Sequence, residues 1–379
     1  MSNPIKTGVT LKKRVVLAVT NDLVTDNRVN KVALSLLEMG FDVTLTGRDY
    51  PSAKTKLDRP YRTNRFHLWF NKGPQFYANY NIRLFFYLIT KRFDVIVSND
   101  LDTLPACYLA SKWTKKPLVY DSHEYYTEVP ELVDRPLVKK CWEKIEKKIL
   151  PNVKHCYTVC QSIADVYNGK YGNNFQVIRN LPSRVDLSST ENIEPKFPTD
   201  KPVIIYQGAV NLGRGVEEAI LSMHQIENVN LVIAGGGDML ESCKVLAEKE
   251  KLSNVFFLGR FGFNDLKQIT RHATIGISVE KDLGLNYRFA LPNKLFDYIQ
   301  SEVPVLSASL PEMKRVIDQY GVGITIKETT PDAIAEGIKL ILAQKEQYQN
   351  WKANCKKAKE ILCWENESLI LKSIYDKFL

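Results

Sequence analysis

The sequence predicts two doubly wound α/β domains that face each other across a deep cleft. Three observations lead there. At 379 residues the chain is too long for one ordinary hydrophobic core. Short apolar runs alternate with helix-period segments through residues 1–185, and the same alternation restarts at residue 201. Residues 186–200, between them, are polar and interrupted by proline, as a linker would be. Strands alternating with helices of this length form parallel sheets covered on both faces, and such sheets bind ligands beyond the carboxyl ends of their strands.

In the first half the strand-like runs are 15–20, 42–46, 66–70, 95–98, 118–121 and 156–159, with helical patterns at 28–39, 79–91, 101–113 and 135–149. In the second half strand 203–206 leads to helix 215–226, strand 230–234 to helix 238–250, and strand 255–258 to strand 274–279. Helix 293–300 and strand 304–307 follow, and from about 331 the pattern is helical, ending in a helix over 364–379.

The most informative stretch is Pro292-Asn293-Lys294-Leu295-Phe296-Asp297-Tyr298, followed by Pro304-Val305-Leu306. Pro292 and Asn293 read as a helix entry with Asn293 as N-cap. Lys294 then stands where free backbone N–H groups and the helix dipole favour a phosphate. Asp297, one turn on and on the same face, can accept hydrogen bonds from a diol. The second domain opens with Tyr206-Gln207-Gly208 running through Gly213-Arg214-Gly215, a strand entering a glycine-bearing turn. Glycines admit an anion close to the backbone, and Arg214 offers a planar fork for diphosphate oxygens. Gly235-Gly236-Gly237 lacks the dinucleotide spacing and reads as a tight turn. Gly259, Arg260 and Phe261 end a third strand, where backbone and ring could meet a nucleobase.

In the first domain Tyr120-Asp121-Ser122-His123-Glu124 projects from a strand end toward the cleft. A histidine flanked by carboxylates there is placed for hydrogen bonding to sugar hydroxyls or for proton transfer. The loop holding Asn21, Asp22 and Asp26 has no glycine fingerprint, which argues against NAD or FAD; Asp26 reads as an N-cap.

The seven cysteines are scattered and suit reduced thiols in a cytoplasm. No apolar run reaches the ~20 residues of a membrane span, and the N-terminus reads as a first core strand. Residues 1–190 carry 29 Lys+Arg against 18 Asp+Glu, leaving the rest near neutral. That basic excess, with the lysine-rich amphipathic helix 135–149, suits a phosphate-bearing acceptor or a peripheral contact with anionic membrane as well as a plain solvated face. Nucleic acid fits on charge alone, but no binding motif accompanies it.

As an ordered set, Tyr206-Gln207-Gly208 through Arg214-Gly215, Gly235-Gly236-Gly237, Leu258-Gly259 and Pro292 through Tyr298 with Pro304-Val305 resembles the donor domain of glycosyltransferase family 4. Asp26-x-Arg28-Val29, Gly40-Phe41-Asp42-Val43 and Asp121-Ser122-His123-Glu124 resemble that family's acceptor domain. The resemblance covers nearly the whole chain. It implies a GT-B fold: an acceptor domain over 1–185, a donor domain over 201–363, and a last helix, 364–379, packing back on the first domain. It also implies a nucleotide-diphosphate sugar as donor, retention of anomeric configuration, and neither metal nor other cofactor. Arg214 and Lys294 match the family's diphosphate-binding cations. Asp297 falls where a glutamate usually meets the donor ribose, and His123 matches a histidine that approaches the transferred sugar.

His123, Arg214 and Lys294 are thus the expected catalytic residues. Gly208, Gly213, Gly259, Arg260, Phe261, Asn293 and Asp297 join the two cations around the nucleotide, while Asp121, Glu124, Glu280, Ala290 and Leu291 join His123 around the donor sugar or acceptor. One departure stands out. The family's Glu-x7-Glu motif requires a first glutamate where this chain has Phe289. Backbone amides over 290–293, or Glu280, are the expected substitutes.

The implied reaction moves a hexose-type sugar to a saccharide or lipid-linked acceptor in cell-surface polysaccharide assembly, on the inner face of the membrane. Two rivals share the architecture: a sugar-nucleotide epimerase, which needs no acceptor, and a non-catalytic nucleotide-sugar binder.

Overall fold

The computed structural model describes residues 12–379 apart from 22, 25, 50–57, 185–193 and 196. Most of the expected linker, and Asp22, therefore lie outside the described residues.

Seven strands form the first sheet: β1 (Arg14–Ala18), β2 (Asp42–Arg48), β3 (Arg62–Phe66), β4 (Val95–Asn99), β5 (Leu118–Ser122), β6 (His155–Thr158) and β7 (Phe175–Val177). Their spatial order is β3-β2-β1-β4-β5-β6-β7. The second sheet holds β8 (Val203–Ala209), β9 (Asn230–Gly236), β10 (Val255–Gly259), β11 (Ile275–Ser278), β12 (Val305–Ala308) and β13 (Gly323–Ile326), in the order β10-β9-β8-β11-β12-β13. Every pairing is parallel. Both sheets are doubly wound, and strand order reverses at β1/β4 in the first and β8/β11 in the second. Those reversals open the crevices where such sheets take ligands.

The central strands are apolar on both faces because helices cover both. In the first domain Gly73–Thr90, Asp100–Thr114, Pro136–Ile149 and Gln161–Tyr171 share one core. On the opposite face Asn27–Glu38 packs with the last helix, Trp364–Tyr375. That last helix follows the second domain yet belongs to the first domain's core. The Trp364 indole donates to Ser35 Oγ (3.0 Å), and the Tyr375 ring meets Phe41 edge-on at 6.2 Å. Where the chain crosses between domains, Trp364 N–H donates to the Pro182 carbonyl (2.9 Å) and Arg179 Nε to Glu367 (2.9 Å).

Three expectations differ from the structure. The third strand is 62–66, not 66–70: Arg-Thr-Asn-Arg-Phe pairs at the sheet edge, where a strand needs little apolar character, while Trp69 and Phe70 point to solvent. The short strands β7 and β13 carry too few residues for a period to show. Helix Asn293–Gln300 begins at Asn293 itself, because Pro292 is extended (φ −71°, ψ 142°) and takes the cap position without a side-chain bond. No described helix is long and apolar enough to cross a membrane.

Candidate active site

The two sheets present their carboxyl ends to one cleft of about 1070 Å³. Its second-domain wall is built by the turn after β8 and by helix Asn293–Gln300. Gly208 holds φ +115°, and the β9 strand passes so close that a Cβ on Gly235 would lie 1.8 Å from the Gly208 carbonyl oxygen. Glycine at both places is therefore steric necessity. The helix is pinned from below by Tyr298, whose hydroxyl accepts from Gln207 N–H (3.1 Å) and lies 3.0 Å from the Ile277 carbonyl.

On this scaffold two cations converge. Lys294 Nζ lies 2.9 Å from Glu280 Oε1 and 3.8 Å from the centre of the Tyr206 ring. Arg214 Nη1 lies 4.0 Å from the same carboxylate oxygen. Glu280 follows β11 at the switch point, is 1% exposed, and accepts from Ser278 Oγ (2.9 Å). Burial opposes its ionisation, but Lys294, Arg214 and that hydroxyl outweigh it and hold the carboxyl below its usual range. Lys294 and Glu280 touch as charges without hydrogen-bond alignment, each polar atom lacking an aligned partner. The pair is an ionic contact that an anion entering the cleft can join.

Asp297 lines the cleft one turn beyond Lys294 and accepts from the Gln207 side-chain amide (3.1 Å). Gln207 in turn accepts from Thr270 Oγ1 (2.6 Å). Burial pushes the Asp297 carboxyl up to about 6, against the pull of Lys267, Lys31 and Gln207.

The first-domain wall centres on His123. Its ring nitrogens face two carboxylates, Nδ1 at 3.3 Å from Asp100 and Nε2 at 3.2 Å from Asp121. Asp100 also accepts the His123 backbone N–H (2.8 Å), gripping the residue at two points. Asp121 is itself held by Arg28, whose Nη2 donates to it (2.8 Å) and whose Nη1 donates to the Ile178 carbonyl (2.9 Å). Burial works against the imidazolium, but Asp100 and Asp121 prevail and raise the His123 pKa to about 9. The two carboxylates thus favour the imidazolium, with both ring nitrogens turned to them.

Glu124, beside it, lines the cleft and accepts from the Asn286 side-chain amide (3.2 Å); Asn286 also accepts the Tyr125 N–H (3.0 Å), joining the two domains.

The structure brings together at the cleft His123, Glu124, Gly208, Arg214, Ala290, Leu291, Asn293, Lys294 and Asp297. Others stand apart. Asp121 is fully buried behind His123. Glu280 lies beneath the cations, its carboxylate already engaged. Gly213 turns the loop behind the cleft wall, with φ +76°. Gly259, Arg260 and Phe261 end the edge strand β10 outside the lining, where Phe261 packs on the second domain's core. The amides over 290–293 offer less than expected: Ala290 N–H donates to the Tyr287 carbonyl (3.0 Å), and Pro292 has none. Phe289 packs on the first domain's core, and its carbonyl accepts from Cys160 Sγ (3.3 Å). Sequence reasoning missed Asp100 and Asn286. Asp100 had one local signal, a polar Ser-Asn-Asp run at the end of β4; Asn286 had none. Among the described residues no cluster of three or more His, Cys, Asp or Glu is disposed to hold a metal.

Each of the two domains matches a family model. Residues 26–188 match the model of glycosyltransferase family 4, and residues 189–358 that of glycosyl transferases group 1. The chain is a group 1 glycosyltransferase of GT-B fold. No curated protein matches it by sequence. Among solved structures, the transferase is similar to sucrose-phosphate synthase from Thermosynechococcus elongatus (TM-score 0.79, 16% identity), with 97% of this chain and 99% of that one covered. It is also similar to WaaG, a glycosyltransferase involved in lipopolysaccharide biosynthesis (TM-score 0.71, 15% identity, 95% and 98% covered). A third likeness is to Anabaena HepE in complex with UDP-glucose (TM-score 0.75, 12% identity, 96% and 98% covered). At these identities the likenesses speak to the fold.

Proposed function

We propose that the transferase moves a hexose-type sugar, with retention and without a required metal, from a uridine-diphosphate sugar to a saccharide or lipid-linked acceptor. The observation that carries this reading is the convergence of Lys294 and Arg214 on one buried carboxylate at the cleft wall. Breaking a glycosyl–phosphate bond builds negative charge on the leaving diphosphate. Two cations fixed in advance at a strand-end crevice stabilise that charge without reorganising when it forms. Glu280 is the resident counter-ion that holds them together until the donor arrives. Asp297 accepts from the ribose diol once it is ionised.

For the transferred sugar, the carboxylate facing the cleft is Glu124. Its tie to Asn286 holds it at the cleft lining, and in this reading it takes the part that Phe289 leaves vacant. His123, whose ring nitrogens are turned to Asp100 and Asp121, adds positive charge near the departing group. With its neighbouring carboxylates engaged, no side chain is left as an evident nucleophile, so the acceptor attacks from the leaving group's side and its proton passes to the diphosphate. The cleft exceeds the roughly 300–1,000 Å³ of single-ligand pockets, which suits two substrates at once. The uridine donor is favoured by the UDP-glucose held in the similar Anabaena fold, and a cell-surface product by WaaG.

The test is incubation with UDP-, GDP- and ADP-sugars in chelator, with and without mixed saccharide acceptors, followed by product analysis. Transfer with release of nucleoside diphosphate supports the reading. An isomerised sugar nucleotide formed without acceptor would replace it with the epimerase.

A further inference from the structure

Helix Leu285–Arg288 is a single turn, yet it touches both walls of the cleft. It stands just before Phe289, where the family's motif glutamate is missing. Gly284, at φ +132°, turns the chain into it, and Phe289 ends it by packing on the first domain's core.

Tyr287 holds three successive residues of the turn after β8. Its hydroxyl donates to the Leu212 carbonyl (3.0 Å), and the Arg214 guanidinium lies 5.7 Å from the centre of its ring. Gly213, between those two, sits against the ring's edge: a Cβ there would come within 3.1 Å of Tyr287 Cε1. Arg214 needs such a hold. Its 4.0 Å from Glu280 is too long for a hydrogen bond and fixes no orientation, whereas an aromatic face favours a guanidinium laid over it.

Asn286 holds the opposite wall. Its Oδ1 accepts the Tyr125 N–H (3.0 Å), and its Nδ2 donates to Glu124 (3.2 Å). Together the two bonds fix the amide's orientation, since turning it over would set its oxygen against a carboxylate and its NH2 against an N–H. Adjacent residues of one turn thus grip a cation of the second domain and a carboxylate of the first.

We infer that Tyr287 and Asn286 are positioning residues for transfer, and that helix Leu285–Arg288 sets the spacing between Arg214 and Glu124 across the cleft. The inference rests on the roles proposed above for those two side chains. Preorganised charge helps only where the reaction develops the opposite charge, and a displacement of ~1 Å can cost about 10²-fold in rate.

The test measures UDP binding by calorimetry, and release of nucleoside diphosphate from whichever of UDP-, GDP- and ADP-glucose the wild type uses with mixed saccharide acceptors. Tyr287→Leu is expected to lower turnover at saturating donor about tenfold, while Tyr287→Phe, which keeps the ring, stays within about threefold of wild type. In an Arg214→Ala background Tyr287→Leu should cost nothing further, because its effect passes through the guanidinium. Asn286→Asp keeps the Tyr125 bond but sets a negative charge against Glu124. It should lower turnover about tenfold yet bind UDP as the wild type does, since UDP lacks the transferred sugar.

A Tyr287→Leu loss undiminished in the Arg214→Ala background would make Tyr287 a packing residue and overturn the inference. So would wild-type turnover in either Tyr287→Leu or Asn286→Asp. An Arg214→Ala variant with unaltered UDP affinity and turnover, or a wild type that uses none of the three donors, would instead refute the underlying reading, and the inference would fall with it.

Discussion

Removing Lys294 should cost the enzyme twice, and a second substitution should give back only one of the losses. Two unit charges 2.9 Å apart, at an effective dielectric near 20, attract by about 6 kcal/mol, and much of that is spent on desolvating them. Deleting one partner of such a buried pair costs about 3–5 kcal/mol, because the other charge stays buried. Lys294→Met, close in volume, should therefore destabilise the fold by roughly that amount, less whatever Arg214 supplies from 4.0 Å. Adding Glu280→Gln removes the stranded charge, so the double variant should recover most of the loss.

Transfer behaves otherwise. A preorganised donor to developing negative charge is worth about 10²–10³ in rate, so both variants should fall by at least that factor. Urea unfolding and release of nucleoside diphosphate under saturating donor measure the two effects on the same preparations. A single variant as stable as wild type would refute the buried-pair reasoning. A double variant that transfers within tenfold of wild type would refute the role of Lys294.

Three further outcomes follow from the same geometry. The Asp297 carboxyl, raised to about 6, favours its protonated form in the folded state, so its ionisation subtracts stability as pH rises from about 4 through 6. Asp297→Asn should therefore be more stable than wild type at pH 8, by at most about 3 kcal/mol, but not at pH 4, while weakening nucleotide binding; the same difference from wild type at both values would contradict this. In the wild type, nucleotide affinity should fall as pH drops below about 6. The His123 pKa, raised to about 9, gives stability that is complete below the ordinary histidine value and lost as pH rises through 9. Transfer should decline over that same range, and Asp100→Asn should move the decline to lower pH; an unmoved profile would separate Asp100 from His123. Gly235→Ala should abolish nucleotide binding and lower the unfolding temperature, since its Cβ would overlap the Gly208 carbonyl; binding at wild-type affinity would contradict the close approach.

What the sequence made legible was local. The turn Gly208–Gly215 follows an apolar strand and precedes a helix, and Lys294 and Asp297 share one turn of a helix marked by Pro292. Strand-turn-helix signals need only neighbouring residues, so both walls of the second domain's crevice could be drawn in advance. The resemblance to family 4 then supplied which crevice faces which. The parts that were not legible depend on contacts between distant elements. Glu280 read as a substitute for the missing motif glutamate, yet β11 delivers it beneath Lys294 rather than to the open cleft. Asp100 reaches His123 from the end of another strand, and Asn286 reaches Glu124 and Tyr125 from the other domain. Strand β3 escaped for a different reason: an edge strand of Arg, Thr and Asn carries no alternation to detect.

The paired cations Lys294 and Arg214 are the proposed diphosphate site. Calorimetric titration of UDP into the wild type, Arg214→Ala and Lys294→Met, in chelator, tests it most directly. One site per chain in the wild type is predicted, with affinity at least tenfold lower in each variant, the loss of a charge-assisted hydrogen bond. UDP bound equally by all three proteins would contradict it.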